Sequence, residues 1–425
     1  MPRASVQEHL HVTFRALRHR NFRLYWTGQL VSLVGTWMQS VAQGWLMHRL
    51  TSSAFMLGFL GFSQFLPVLL LSLWAGVIVD SIDKRKLLLV TQAAFLLQAV
   101  ALATMVSTHV VQPWMVLVLA FVFGTINALD LPARQSFVVE LAGKEDLSNA
   151  IALNSAAFNT ARIVGPAIAG ILLATVGEAG CFWLNAASYV AVIVSIARMS
   201  LPRREAARFD PGKAVHTMLE GVRYARGVTS LRNLLVLLGL TAGLGFQYMI
   251  LLPVYAREIL HSGPGGYGLL VSAFGLGSLL SAAWMTRKLD RWALRRNLFV
   301  GLLAASVGMA LFAWSRVFGL SLAMGFLAGF GLILYVATTN TMIQLTTEDR
   351  YRGRVMSLYT LMFVGTAPIG ALISGTVAQR FGAPVATSLS ALVLFGGALW
   401  VMRRLRVLAA REHGAPALPA TEKVG

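Results

Sequence analysis

The chain has 425 residues, of which 56% are hydrophobic and only 12% charged, with a mean hydropathy of +0.68. That composition excludes an ordinary soluble domain and points to a polytopic membrane protein. The net charge of +19 raises nucleic acid as a partner, but the cations recur in short breaks between apolar runs instead of forming one basic domain, so no nucleic-acid binding is expected.

A membrane-spanning helix needs about 20 mostly apolar residues. Twelve such runs occur, at 22–48, 54–79, 87–107, 113–140, 148–176, 179–200, 230–257, 265–287, 297–315, 317–345, 353–379 and 383–403. They lack the short alternation of barrel strands. The fold class expected is therefore an all-α membrane protein, with twelve transmembrane helices in two pseudo-symmetric six-helix bundles. The first run is too long for a secretion signal and lacks a small-residue cleavage site, so it should remain as a span.

Of the 36 Lys and Arg, all but Arg49, Arg257, Arg316, Arg380 and the mid-span Arg162 fall in breaks on one side. Positive residues mark the cytoplasmic face, which places both termini inside a bacterial cytoplasmic (inner) membrane and agrees with an even number of spans. The same cations suit contact with anionic lipid. Cys181 is the only cysteine, so neither an intrachain disulfide nor a cysteine metal cluster can form. No metal, cofactor or enzymatic activity is expected, and the chain is read as a monomer in the lipid bilayer.

The two halves resemble copies. At an offset of 210, Gly58, Asp80, Arg85 and Lys86 fall on Gly268, Asp290, Arg295 and Arg296, and "EDLSNAIALNS" (145–155) falls on "EDRYRGRVMSL" (348–358) at 203. The expected organisation is a cytoplasmic segment 1–21, a six-helix bundle 22–200, a cytoplasmic linker 201–229, a second bundle 230–405 and a disordered tail 406–425. In the linker, Val215, Met218, Leu219 and Val222 have helical spacing beside Lys213, Arg223 and Arg226, which predicts an amphipathic helix on the inner surface. Two six-helix halves with a site between them suit a secondary transporter that rocks about a central cavity. No G-x-x-x-x-G-K-[ST] nucleotide loop occurs, so ion or solute gradients would supply the energy.

In the first span, Gln29, Ser32, Thr36, Gln39, Ser40 and Gln43 fall on one arc of about 100°. Unpartnered amides in hydrocarbon cost several kcal/mol, so this stripe faces either a water-filled cavity or polar neighbours across helix seams. Cavity lining is the reading that makes Gln29, Ser32, Thr36, Gln39 and Gln43 substrate-binding candidates.

Arg162 lies mid-span in "NSAAFNTARIVGPAIAG" (154–170), where a cation costs about 2.5 kcal/mol or more. Ser155, Asn159 and Pro166 share its arc. Asp130, the one carboxylate well inside a span, is its expected partner, either as a structural ion pair or as the acid that exchanges a proton, the coupling ion, during transport. Glu258 sits at a membrane edge. Between the halves, Asn159, Arg162, Asn185, Tyr189, Gln247, Tyr335, Thr338, Asn340 and Tyr359 could line a cavity. "GPAIAG" (165–170) and "GTAPIGALISG" (365–375) put small residues and proline at equivalent places, for close approach and bending.

The stretch "GVIVDSIDKRK" (76–86), with Gly76, Asp80, Lys84, Arg85 and Lys86, resembles the loop between helices 2 and 3 of the major facilitator superfamily. Asp290, Arg295 and Arg296 look like its degenerate second copy. "NFRLYWTGQLVSLVGTWMQSVAQGWL", "DLPARQSFVVEL", "NAIALNSAAFNTARIVGPAIAG" and "GRVMSLYTLMFVGTAPIG" are similar to the branch that includes the enterobactin exporter and macrolide efflux proteins. The resemblance implies that Asp80 helps lock a cytoplasmic gate against the eleventh helix near Arg354, with Gly76, Arg85 and Asp290 as gating residues. It also implies export of an amphipathic small-molecule substrate, a siderophore or drug-like compound, by alternating access with proton entry. An importer of a polar metabolite, or a scaffold that moves nothing, are the alternatives. The antiporter arginine of the fourth helix is replaced by apolar "LAFVF" (119–123), and "GPAIAG" matches the antiporter signature only in part.

Overall fold

The computed structural model describes residues 15–199, 211–285 and 290–414. The first half comprises α1 (Arg20–Thr51), α2 (Ala54–Asp80), α3 (Lys84–Ser107), α4 (Pro113–Gly143), α5 (Glu145–Thr175) and α6 (Gly177–Ala197). The linker helix is α7 (Pro211–Gly227). The second half comprises α8 (Thr229–Ile259), α9 (Gly263–Trp284), α10 (Arg291–Trp314), α11 (Phe318–Thr346), α12 (Asp349–Phe381) and α13 (Ala383–Gly414). Among the described residues there is no strand, and eleven helices are long and apolar enough to cross a bilayer. The twelfth is α1, whose apolar character its polar stripe dilutes.

Four helix boundaries depart from expectation. The break predicted at 141–147 shrinks to one residue, Gly143 (φ 66°, ψ 177°); that left-handed φ is open to glycine at no steric cost. The span 230–257 is interrupted, running as α-helix to Gly245, as a 3₁₀ turn over Gln247–Leu251 and as a π turn over Tyr255–Ile259. The span 353–379 breaks at Gly365 and Thr366, just before Pro368, which lacks an amide hydrogen to continue the ladder. The tail does not begin at residue 406, because α13 continues to Gly414 through a run rich in good helix formers; residues 415–425, like 201–210 of the linker, lie outside the described residues.

The repeat register also shifts. Asp83 caps α3 by accepting from the Lys86 amide at 2.9 Å, and Asp290 caps α10 by accepting from the Ala293 amide at 2.6 Å. Asp83, not Asp80, is thus the positional counterpart of Asp290, whose carboxylate serves as a helix cap.

Two seams join the halves, α2 on α12 and α5 on α9. Both rely on glycine close to the face opposite the basic loops. A Cβ on Gly58 would lie 2.8 Å from the Gly375 Cα, and one on Gly268 would lie 2.7 Å from the Gly170 Cα. At the same face the Ser53 hydroxyl donates to Gln379 Oε1 at 2.8 Å, and His48 Nε2 lies 2.9 Å from a Glu258 carboxylate oxygen. At the basic face, α7 packs on the start of α12. Arg354 pairs with Glu220 at 2.6 Å, and the Tyr224 and Tyr351 rings stack at 4.1 Å.

Replacing Gly268 by Val should wedge this seam and cost about 1–3 kcal/mol, read as a lowered melting temperature of the purified protein. Gly396→Ala, with open space around it, should leave the melting temperature unchanged or raise it; equal melting of both variants would contradict the close seam.

Candidate functional site

The polar stripe of α1 turns into the first bundle. Gln39 donates to Gln98 Oε1 at 3.0 Å and accepts from the Asn185 amide at 2.6 Å, joining α1 to α3 and α6. The Thr36 and Tyr189 hydroxyls are 3.2 Å apart, and Gln43 donates to the Val116 carbonyl of α4 at 3.5 Å. Gln29 and Ser32 are buried with their side-chain polar atoms unpaired, as is the Tyr25 hydroxyl one turn away. Thr36, Gln39 and Gln43 bind helices together within one half, Gln29 and Ser32 are buried in that same half, and none of the five lines the cavity described below, so the cavity-lining expectation for Gln29, Ser32, Thr36, Gln39 and Gln43 is corrected. The reason is local: three neighbouring helices offer amide, carbonyl and hydroxyl partners at matching depth.

The second half repeats the pattern. Tyr335 is fully buried and accepts from the Thr241 hydroxyl at 2.9 Å, which ties α8 to α11. Asn340 accepts from Gln344 one turn along α11, and Asn159 donates to the Ser155 carbonyl of its own helix at 2.9 Å.

The expected Asp130–Arg162 pair is absent. Asp130, 1% exposed, pairs with Arg134 one turn along α4, and its Oδ1 accepts from Thr91 at 2.6 Å and Gln92 at 2.8 Å. Arg134 lies one helical turn from Asp130 on the same span, so it is a nearer cation than Arg162. Arg162 instead lies against aromatic rings, its guanidinium carbon 4.9 Å from the centre of Phe274 in α9 and 5.7 Å from that of Trp37 in α1. Among the described residues no carboxylate forms a salt bridge with it, and its Nε is buried without a hydrogen-bond partner.

The gating candidates separate. Gly76 and Asp80 lie in the last turns of α2, and the Asp80 side chain lies outside what is described. Arg85 donates to the Ala197 carbonyl at 2.9 Å, closing the start of α3 onto the end of α6 within the first half. Arg354 is engaged by Glu220 of the linker, as described above.

A cavity of about 300 Å³ does lie between the halves. Leu57, Leu60 and Gly61, beside the Gly58–Gly375 contact, lie in its wall, to which α1, α2, α8, α9 and α12 contribute. Trp37, Phe65, Phe246 and Phe363 give it an apolar surface, while Ser40, Gln64, Gln247 and Tyr267 supply its polar atoms; none of its lining residues is charged. The interruptions in α8 and α12 flank it, so backbone irregularity falls where it borders a cavity, as hydrocarbon demands. Gln247, at the α8 interruption, donates to the Ala242 carbonyl at 3.2 Å.

Gln247 is the one predicted binding residue in this wall. The others were missed because Trp37, Phe246 and Phe363 look like any lipid-facing or core aromatic. A signal existed on α1: Trp37, Ser40 and Gly44 share a face about 100° around the helix from the Gln stripe, and Ser40 stood at that stripe's edge.

Comparison with known proteins agrees with this architecture. The sequence model described as transmembrane secretion effector matches residues 11–422. The chain belongs to this family of major facilitator transporters. A staphyloferrin A transporter of Staphylococcus aureus is 24% identical over 366 residues, covering 85% of this chain and 90% of that protein. The multidrug efflux pump Tap of Mycolicibacterium fortuitum is 27% identical over 371 residues, covering 83% and 88%. The crystal structure of the nucleoside transporter NupG superposes with a TM-score of 0.68 at 12% identity, covering 92% of this chain and 99% of that one. This secretion-effector chain thus shares its fold with transporters.

Thiol labelling separates the two faces of α1. The native Cys181 is fully buried, so the unaltered chain should resist a water-soluble maleimide. Ser40→Cys should gain one label by mass spectrometry and Gln39→Cys none; labelling of Gln39→Cys alone would return the Gln stripe to the cavity.

Proposed function

We propose that this protein is a secondary active exporter of an amphipathic small molecule, a siderophore or drug-like compound, working by alternating access. One observation carries the reading: a cavity between two six-helix halves, apolar-walled with a few hydrogen-bonding groups and roofed by glycine contacts. Such a chamber suits a solute with a large apolar surface and scattered polar atoms. Of the relatives, the multidrug efflux pump supports export by its name, and the staphyloferrin A transporter supports a small-molecule solute.

The basic face is the cytoplasmic one in this proposal, by the distribution of Lys and Arg. The seam of Gly58, Gly170, Gly268 and Gly375 then closes the exterior side, and solute enters from the cytoplasm. Rocking the halves would exchange that seam for one on the cytoplasmic side, where Gly76, Asp80 and the Arg354 end of α12 are the proposed gate.

Proton entry is the proposed driving force, with Asp130 as the acid and Arg134, in place of Arg162, as its partner. Protonation of Asp130 would release Arg134 inside a bundle where Tyr25, Gln29 and Ser32 already offer unpaired polar atoms. Those groups could accommodate the redistribution without moving charge into lipid.

Cells carrying the gene should accumulate less of a fluorescent amphipathic dye than cells lacking it. Greater accumulation would make the protein an importer, and no difference for a wide panel of compounds would contradict transport. In vesicles, Asp130→Asn should abolish pH-driven transport while sparing exchange of solute across the membrane; pH-driven flux equal to that of the native protein would remove Asp130 from coupling.

A further inference from the structure

The guanidinium of Arg162 sits between the two halves, with no carboxylate paired to it among the described residues. It touches Trp37 of α1 and Phe274 of α9, and Trp37 also lines the cavity. The backbone beside it is held firmly: the Ser272 hydroxyl donates to the Ile163 carbonyl at 3.0 Å, and a Cβ on Gly275 would lie 3.1 Å from the Arg162 carbonyl oxygen. Tyr248 of α8 packs on the same Phe274 ring, with centroids 5.7 Å apart, and is within electrostatic range of Arg162. Its hydroxyl is buried and unpaired, like the Arg162 Nε.

Two unpaired donors therefore flank one aromatic ring, behind Trp37 of the chamber wall. Desolvating a cation without a counter-charge is costly, and ring faces recover only about 0.5–2 kcal/mol. The buried carboxylates of this bundle, Asp130 and Asp146, already pair with Arg134 and with Arg15 and Arg18, so they leave nothing for Arg162. An incoming anion would satisfy both the guanidinium and the phenol through charge-assisted hydrogen bonds.

We propose that Arg162 and Tyr248 receive the anionic group of the transported molecule, so that the substrate class is an organic anion: an apolar, aromatic-compatible body in the chamber with a carboxylate or similar oxyanion against Arg162. This rests on the transporter reading and narrows its substrate. The aromatic groups select the body, and Arg162 selects the charge. With α5, α8 and α9 each contributing a contact, a bound anion would also draw the two halves together around itself.

The test uses the full-length protein in nanodiscs of phosphatidylcholine, with naphthylacetate, its neutral methyl ester and a naphthylmethyl ammonium as probes for equilibrium binding. Naphthylacetate should bind about 10- to 100-fold tighter than the ester, and the ammonium should bind weakest. Arg162→Gln should erase the preference for the carboxylate, Arg162→Lys should keep part of it, and Tyr248→Phe should weaken carboxylate binding several-fold while retaining the preference. Failure to bind any probe, equal binding of acid and ester, or an unchanged preference in Arg162→Gln would overturn the proposal. Loss of naphthylacetate binding in phosphatidylglycerol nanodiscs would assign the pocket to lipid headgroups and overturn it as well. Dye extrusion that persists in Arg162→Gln with no charge preference in the native protein would leave the transporter reading standing; carboxylate binding at Arg162 without flux into vesicles would overturn that reading and leave the anion site.

Discussion

Hydrocarbon offers no hydrogen-bond partner, so each polar group carried into the membrane must find one within the protein or face a cavity. The placement of α1 follows from this constraint. Its amides and hydroxyls meet Gln98, Val116, Asn185 and Tyr189 on three neighbouring helices, which fixes the rotation of α1 and fastens the first bundle into a unit. With that rotation set, Trp37, Ser40 and Gly44 are turned toward the second bundle. The chamber wall is thus a consequence of the glue on the adjacent face. Tyr335 and Thr241 make a comparable internal tie in the second half.

The seam between halves is built on a different principle. Few directed bonds cross it; glycines at Gly58, Gly170, Gly268 and Gly375 let backbones touch, and small-residue contacts of this kind give up little enthalpy when they separate compared with a buried hydrogen-bond network. Rigid halves with a lightly bonded seam are what a rocking motion requires. The interruptions of α8 and α12 beside the chamber add points where those helices can flex, and Gln247 keeps one freed carbonyl satisfied.

Hydropathy, the distribution of Lys and Arg and the internal repeat made the twelve helices, the two halves and the family legible, because each follows from a single-residue property summed along the chain. Partner choice was less legible. The Gln stripe is a strong periodic signal, but periodicity says only that a face is polar, not whether it meets water or other helices. Asp130 and Arg162 looked like partners because they are a buried acid and a buried base at similar depth; Arg134, one helical turn from Asp130, is the nearer cation, and counting it with the basic breaks hid that. The His48–Glu258 contact joins residues of α1 and α8, a pairing no local pattern could indicate. Trp37, Phe246 and Phe363 were hidden for the opposite reason: an aromatic residue in an apolar helix is the commonest background.

The central claim is that two rigid halves exchange a closed exterior seam for a closed cytoplasmic one around the chamber. Spin labels at Phe55 and Phe381, which flank the ends of α2 and α12 away from the basic loops, and at Ile151 and Trp284, which lie toward the basic ends of α5 and α9, read both sides in one protein by pulsed electron resonance. On adding substrate or changing pH, the account predicts that the first distance lengthens while the second shortens. Two distances that stay fixed and unimodal under every condition, or that change in the same direction, would contradict it.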